Sequence, residues 1–159
     1  MPPGRHRVRF LSNRGANGID GLVSTAAGAS LASGARTWAV LGDLALVHDL
    51  GGLASARAAK ELRLIVIDNG GGGIFHFLPQ ADALPEPEFE ALLGTRSGLD
   101  LHQALSLFGF DAVGVRDAAG LAEALRADAR AVILTVDRPR NLELHRRLAD
   151  AAAAALDPA

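Results

Sequence analysis

The chain has no cysteine, which excludes disulfides, zinc-thiolate centres and a thiol nucleophile. It has no apolar run approaching the roughly 18 residues of a membrane span, so no spanning helix is expected. Residues 1–7 lead into a short alternating segment instead of a long apolar one, so no signal peptide is expected and the expected location is cytoplasmic. No Gly-x-x-x-x-Gly-Lys run is present and no serine lies in a nucleophile elbow, which argues against P-loop NTPase and hydrolase chemistry. His6, His76, His102 and His145 lack triad or metal spacing, and His48 beside Asp49 reads as structural. An excess of one charge is lacking too. With 16 Lys and Arg against 18 Asp and Glu, the net charge of -2 gives no reason to expect a nucleic-acid partner. The basic run Arg5-His6-Arg7-Val8-Arg9 reads as a solvated strand start.

What is present suits a packed fold. The 159 residues are 49% apolar, enough for one domain over 1–159, with poorly ordered ends expected at 1–6 and 156–159. Alternating or continuous apolar runs predict strands at 7–11, 37–41, 62–68, 111–115 and 131–136. Helical spacing predicts helices at 21–32, 50–60, 99–108, 118–127 and 141–156, with a short one from 85. Asp20 and Asp100 are the expected N-caps, and Gly34 is the expected stop of the first helix. Five strands alternating with helices imply an α/β fold, a three-layer parallel sheet with helices on both faces.

The chemistry concentrates between Gly42 and Phe75. Asp43 ends one predicted strand and Asn69 follows another, and the two meet only if those strands are parallel neighbours joined by a crossover helix. Ligands of open α/β sheets bind at the carboxyl ends of such strands. Asp43, Asn69 and the carbonyls of Gly70-Gly71-Gly72-Gly73 are oxygen donors suited to Mg²⁺, with phosphate completing the octahedron. Four glycines exceed what a simple turn needs and favour close approach of backbone N–H groups to an anion. Read alone, Asp43 is equally a helix cap and the glycine run equally a flexible turn. Gly15, Gly18 and Gly21 suggest a dinucleotide fingerprint, but their spacing is wrong and no acid ends the second strand where one is needed.

Three words narrow the reading: Ser12-Asn13-Arg14-Gly15-Ala16-Asn17-Gly18-Ile19-Asp20-Gly21, Gly42-Asp43-Leu44-Ala45-Leu46-Val47-His48-Asp49-Leu50, and Gly72-Gly73-Ile74-Phe75-His76-Phe77-Leu78-Pro79-Gln80. In this order they resemble the 2-succinyl-5-enolpyruvyl-6-hydroxy-3-cyclohexene-1-carboxylate synthases of menaquinone biosynthesis, in their C-terminal thiamine-diphosphate-binding domain. The resemblance implies a thiamine-diphosphate-binding fold holding thiamine diphosphate and Mg²⁺ or Mn²⁺. It implies metal ligands Asp43, Asn69 and Gly71, and further cofactor contacts at Gly42, Leu44, Gly72, Gly73, Ile74 and Ile19. Phe75 and Leu78 would face substrate, and Arg14 would grip a substrate carboxylate. The implied activity is that of a transferase that decarboxylates 2-oxoglutarate and adds the succinyl-semialdehyde unit to isochorismate, working as a homodimer or larger homo-oligomer. Asp68 and Gly70 depart from the amides common in the family, and Asp68 remains a competing ligand.

The resemblance also shows what is lacking. No glutamate here matches the one that activates the cofactor, so no catalytic residue is expected in this chain; that glutamate would belong to a pyrimidine-binding domain in cis or in trans. The family domain opens with a further strand-helix unit, and without it an apolar face or sheet edge would stand uncovered. The isolated chain is therefore expected to associate and to be inactive alone. Another thiamine-diphosphate carboligase or decarboxylase, or a truncated non-catalytic binding domain, remain the alternatives.

Overall fold

The computed structural model describes residues 8–13 and 15–156. The expected loose N-terminus at 1–6 and the end at 157–159 lie outside the described residues.

Four parallel strands form one sheet in the order β1-β2-β4-β3. They are β1 (Thr37–Gly42), β2 (Leu62–Asp68), β3 (Ala112–Val115) and β4 (Ala131–Thr135). Helices α1 (Leu22–Ser33), α2 (Asp43–His48), α3 (Leu50–Ala56), α4 (Gln80–Ala83), α5 (Glu86–Phe89), α6 (Leu101–Leu107), α7 (Ala118–Arg126) and α8 (Arg138–Leu156) surround it. A 3-10 turn, Gly73–Phe77, and a π-turn, Glu90–Gly94, lie between them.

Period-two alternation decides the layers. Leu62, Leu64 and Val66 of β2, with Ala131 and Ile133 of β4, face one side and pack with Val23, Leu46, Leu53, Leu105 and Phe110. Val132 of β4 faces the other side, against Val115 and Ala124. Helices therefore cover both faces, as an α/β three-layer sheet requires. Coverage is uneven: on β1, an edge strand, Trp38 and Val40 are exposed. At the opposite end from the site, Asp128 accepts hydrogen bonds from Arg36 and Arg63, tying β1 and β2 to the turn before β4.

Four expectations are corrected. The fifth strand is not formed: described residues 8–11 pair with no strand, and Phe10 is 89% exposed. Alternation only records which side chains would share a face; it does not make a segment pair, and 8–11 joins neither edge of the sheet. Gly21, in the left-handed region at φ 64°, precedes α1 in place of Asp20, whose carboxylate lies 3.6 Å from His48 Nδ1. The crossover helix, read as 50–60, ends at Ala56, where the backbone passes into a turn in which Ala58 N and Ala59 N donate to the Ser55 and Ala56 carbonyls. A separate short helix, α2, precedes it, with Asp49 between them accepting from the Ser24 backbone N–H and hydroxyl at 2.7 and 2.9 Å. The last helix starts earlier, at Arg138, where the Asp137 carboxylate accepts from Arg140 N at 2.8 Å. The caps at Asp100 and Gly34 form as read.

Candidate functional site

Register brings the two strand ends together. Gly42 pairs with Ile67, so Asp43 at the start of α2 stands beside the backbone that continues through Asp68 and Asn69. Asp43 is 5% exposed, and its Oδ2 accepts from Gly71 N at 2.6 Å. Burial pushes its carboxyl above the ordinary value; hydrogen bonds from the Leu44 and Gly71 N–H groups oppose this, and the nearby Asp68 charge adds to it. Asp68 itself accepts from Gly70 N at 3.1 Å.

One terminal atom of the Asn69 amide lies 2.6 Å from the Gly71 carbonyl oxygen and 3.3 Å from Asp43 Oδ1. Turned with nitrogen inward, the amide donates to both. Turned with oxygen inward, it makes a cluster of three oxygens, repulsive unless a cation sits among them. Adjacent ligands at 2.0–2.1 Å from Mg²⁺ are about 2.9 Å apart in an octahedron, so these separations fit such an ion. Among the described residues no three His, Cys, Asp or Glu side chains group as a metal site. This donor set has one carboxylate, one amide and one backbone carbonyl.

The glycine run is explained in part by the protein itself. Gly71, at φ 121°, and Gly72 are pressed onto the backbone of the π-turn, where an added Cβ would run into the carbonyl oxygens of Gly94 and Leu93. Gly72 N donates to the Gly94 carbonyl at 2.6 Å. A Cβ at Gly73 would meet the Asn69 amide. Close approach, first read as approach to an anion, is at these three positions approach to the protein's own atoms.

Other expected residues are placed as follows. Gly42 and Leu44 flank Asp43 and are half-buried. Ile74 is 72% exposed, Leu78 is exposed, and Phe75 is half-buried with its ring against Gly72. Ile19 is exposed in the turn before α1. Arg14 lies outside the described residues. A cavity of about 200 Å³ opens at the cluster, lined by Asp43, Asp68, Gly70, Arg96, Ser97 and Leu101.

Sequence reading missed Arg138, Glu90 and Arg96. Arg138 donates to the backbone carbonyls of Asn69, at 2.7 Å, and Gly70, and to Glu90 at 2.8 Å. Arg96 also donates to Glu90, at 3.1 Å. An arginine directly after a buried strand at the sheet's carboxyl end was the available signal for Arg138.

No family model matches the chain. Curated relatives do. A 2-succinyl-5-enolpyruvyl-6-hydroxy-3-cyclohexene-1-carboxylate synthase of Myxococcus xanthus is 43% identical over 98% of this chain and 27% of its own length. Those of Rubrobacter xylanophilus and Lysinibacillus sphaericus are 44% and 38% identical over 92% and 89% of the chain. The chain is related to one segment of these synthases. It spans about a quarter of their length. In this synthase-like segment, Asp43, Asn69 and Gly71 converge at the carboxyl end of the sheet, where α/β folds bind ligands. No helix among the described residues is long and apolar enough to cross a membrane.

Proposed function

We propose that the chain is the metal- and diphosphate-binding segment of a cytoplasmic thiamine-diphosphate-dependent synthase that takes 2-oxoglutarate and isochorismate as substrates. The observation that supports it best is the convergence of the Asp43 carboxylate, the Asn69 amide and the Gly71 carbonyl at one point. The amide end lies 2.6 Å from the Gly71 oxygen and 3.3 Å from Asp43 Oδ1, spacings compatible with Mg²⁺ or Mn²⁺ once the amide oxygen turns inward. Bound thiamine diphosphate would supply an electron sink for loss of CO₂ from a 2-oxo acid and for formation of a new carbon–carbon bond.

The residues of this chain bind and orient. Asp43, Asn69 and Gly71 would hold the metal and, through it, the diphosphate; Gly42, Leu44, Gly72 and Gly73 shape the backbone around that place. Ile74, Phe75, Leu78 and Ile19 offer apolar surface, which lowers the local dielectric once covered by cofactor and a facing domain. Arg14 provides a guanidinium fork for a substrate carboxylate. The activating glutamate comes from another domain, in cis or in the facing copy of a homo-oligomer. Turnover therefore requires that domain, and the 159-residue chain alone gives none.

Calorimetric titration of thiamine diphosphate into the chain, with and without Mg²⁺ and repeated with Asp43→Ala, tests the reading. Metal-dependent binding abolished by Asp43→Ala is expected. A folded chain that binds equally well with and without metal, or does not bind, overturns it.

A further inference from the structure

The glycine loop has no conformational preference of its own. Gly70 and Gly71 sit at φ 72° and 121°, regions open to glycine at little cost but equally easy for it to leave. Something outside the loop must fix the direction of its carbonyls.

Arg138, the first residue of α8, is placed to do so. Its side chain is 8% exposed. Nε donates to the Asn69 carbonyl at 2.7 Å, and Nη2 donates to the Gly70 carbonyl. The planar fork thus takes up two successive carbonyls and leaves the next, that of Gly71, beside Asn69 and Asp43. The same guanidinium is held from behind by Glu90, with Nη1 to Oε1 at 2.8 Å and Nη2 to Oε2 at 3.3 Å. Glu90 begins the π-turn whose last residue, Gly94, accepts from Gly72 N. Loop, π-turn and α8 therefore meet at one partly buried ion pair. Unpaired, a buried arginine here would repel a divalent cation; paired with Glu90, it orders the carbonyls without adding net charge.

We infer that Arg138, seated by Glu90, is the positioning residue that holds the Asn69–Gly71 backbone in the shape in which the Gly71 carbonyl meets the Asn69 amide and the Asp43 carboxylate. Its value to cation binding rests on the functional reading above; its hold on the loop does not. A lysine keeps the charge but lacks the fork, so it cannot serve two carbonyls and a carboxylate together.

The test uses the full chain and two readouts. Amide hydrogen exchange, read by NMR without metal, reports loop order at Gly71 and Gly73, with Leu64 and Val132 of the sheet as internal controls. Mn²⁺ alone, followed by water-proton relaxation, reports affinity. Arg138→Lys is expected to speed exchange at both glycines by about tenfold or more, the effect of losing one hydrogen bond from a charged donor, with the controls unchanged. Mn²⁺ affinity should fall by a similar factor. In Arg138→Ala, millimolar guanidinium, but not sodium at equal ionic strength, should restore slow exchange, a recovery that a merely space-filling role would not give. Unchanged loop exchange in Arg138→Lys overturns the inference, as does absence of guanidinium recovery in a chain whose controls stay slow. If Arg138→Ala does not fold, Arg138→Lys alone decides. A wild-type chain with an ordered loop that binds no Mn²⁺ sinks the functional reading, while the exchange data still decide the role of Arg138.

Discussion

Gly71→Ala should damage the protein far more than a methyl added at an exposed glycine with open space around it. Two costs combine. At φ 121° an L-residue is strained, which costs about 1–3 kcal/mol. The new Cβ also lands on the Gly94 carbonyl, so the loop and π-turn must separate and the Gly72–Gly94 hydrogen bond is lost, about 0.5–1.5 kcal/mol more. Together these give about 2–4 kcal/mol, and since each kcal/mol lowers Tm by about 2–4 °C in a chain of this size, a fall of roughly 5–15 °C is expected. Gly28→Ala is the control. Gly28 is exposed inside α1, and nothing lies within 4 Å of its added Cβ. Removing backbone freedom there should stabilise by about 0.5–1 kcal/mol. Urea titration followed by circular dichroism measures both. A Gly71→Ala protein within about 0.5 kcal/mol of wild type, the ordinary scatter of surface changes, would refute the idea that the glycine loop is built against the π-turn.

The acid limb of stability offers a second check. Burial would raise the Glu90 carboxyl, but the hydrogen bonds and charges of Arg138 and Arg96 outweigh it and hold it below its ordinary value; Arg63 and then Arg36 hold Asp128 low despite a smaller burial effect. Both contributions are present above the ordinary carboxylate range and are lost as pH falls through the lowered values. Thermal melts of Glu90→Gln and Asp128→Asn should therefore differ from wild type near neutrality and converge with it in acid; parallel curves down to the lowest pH would contradict this. Phe110 is fully buried, with the Arg130 guanidinium 4.2 Å above its ring. Phe110→Ala should cost about 3–5 kcal/mol in urea unfolding, and a loss below about 1 kcal/mol would show that the core on the Leu62–Ile133 side of the sheet can collapse around the gap.

The central strands were legible because burial on both faces writes continuous apolar runs, and 62–68 and 131–136 fell within a residue of β2 and β4. Caps that act within one turn were legible too, as at Asp100 and Gly34. Failures came where a side chain had a distant partner. Asp49 reaches Ser24, a contact across 25 residues that local spacing does not show, and the short helix before it at 43–48 was not read. The segment at 8–11 alternates like a strand, yet alternation says nothing about whether a sheet edge is available to it. Asp43 and Asn69 were readable because strand ends in a parallel sheet share one side. The glycine run was readable as a place of close approach, but its neighbours, Leu93 and Gly94, lie beyond a proline-punctuated loop that carries no periodic signal. Arg138 lies ahead of the helix read from 141, and no local pattern shows that its fork reaches the glycine loop.

The charges around the cluster bear on the proposed cation site. Asp43 is buried, and Asp68 adds repulsion; the N–H groups of Leu44 and Gly71 offset these only in part, so its carboxyl stays raised. The nearest buried positive charge does not relieve it. Arg138 is turned to backbone carbonyls and to Glu90, and Arg96 also reaches Glu90. The protein has thus placed a carboxylate where burial penalises its charge and has directed its arginines elsewhere. A buried carboxylate short of positive charge is where a divalent cation gains most, because the attraction acts across little water. An arginine pointed into the cluster would have served stability at the expense of the ion. Glu90, by holding Arg138 against the carbonyls, keeps that positive charge away from Asp43, as the proposed metal site requires.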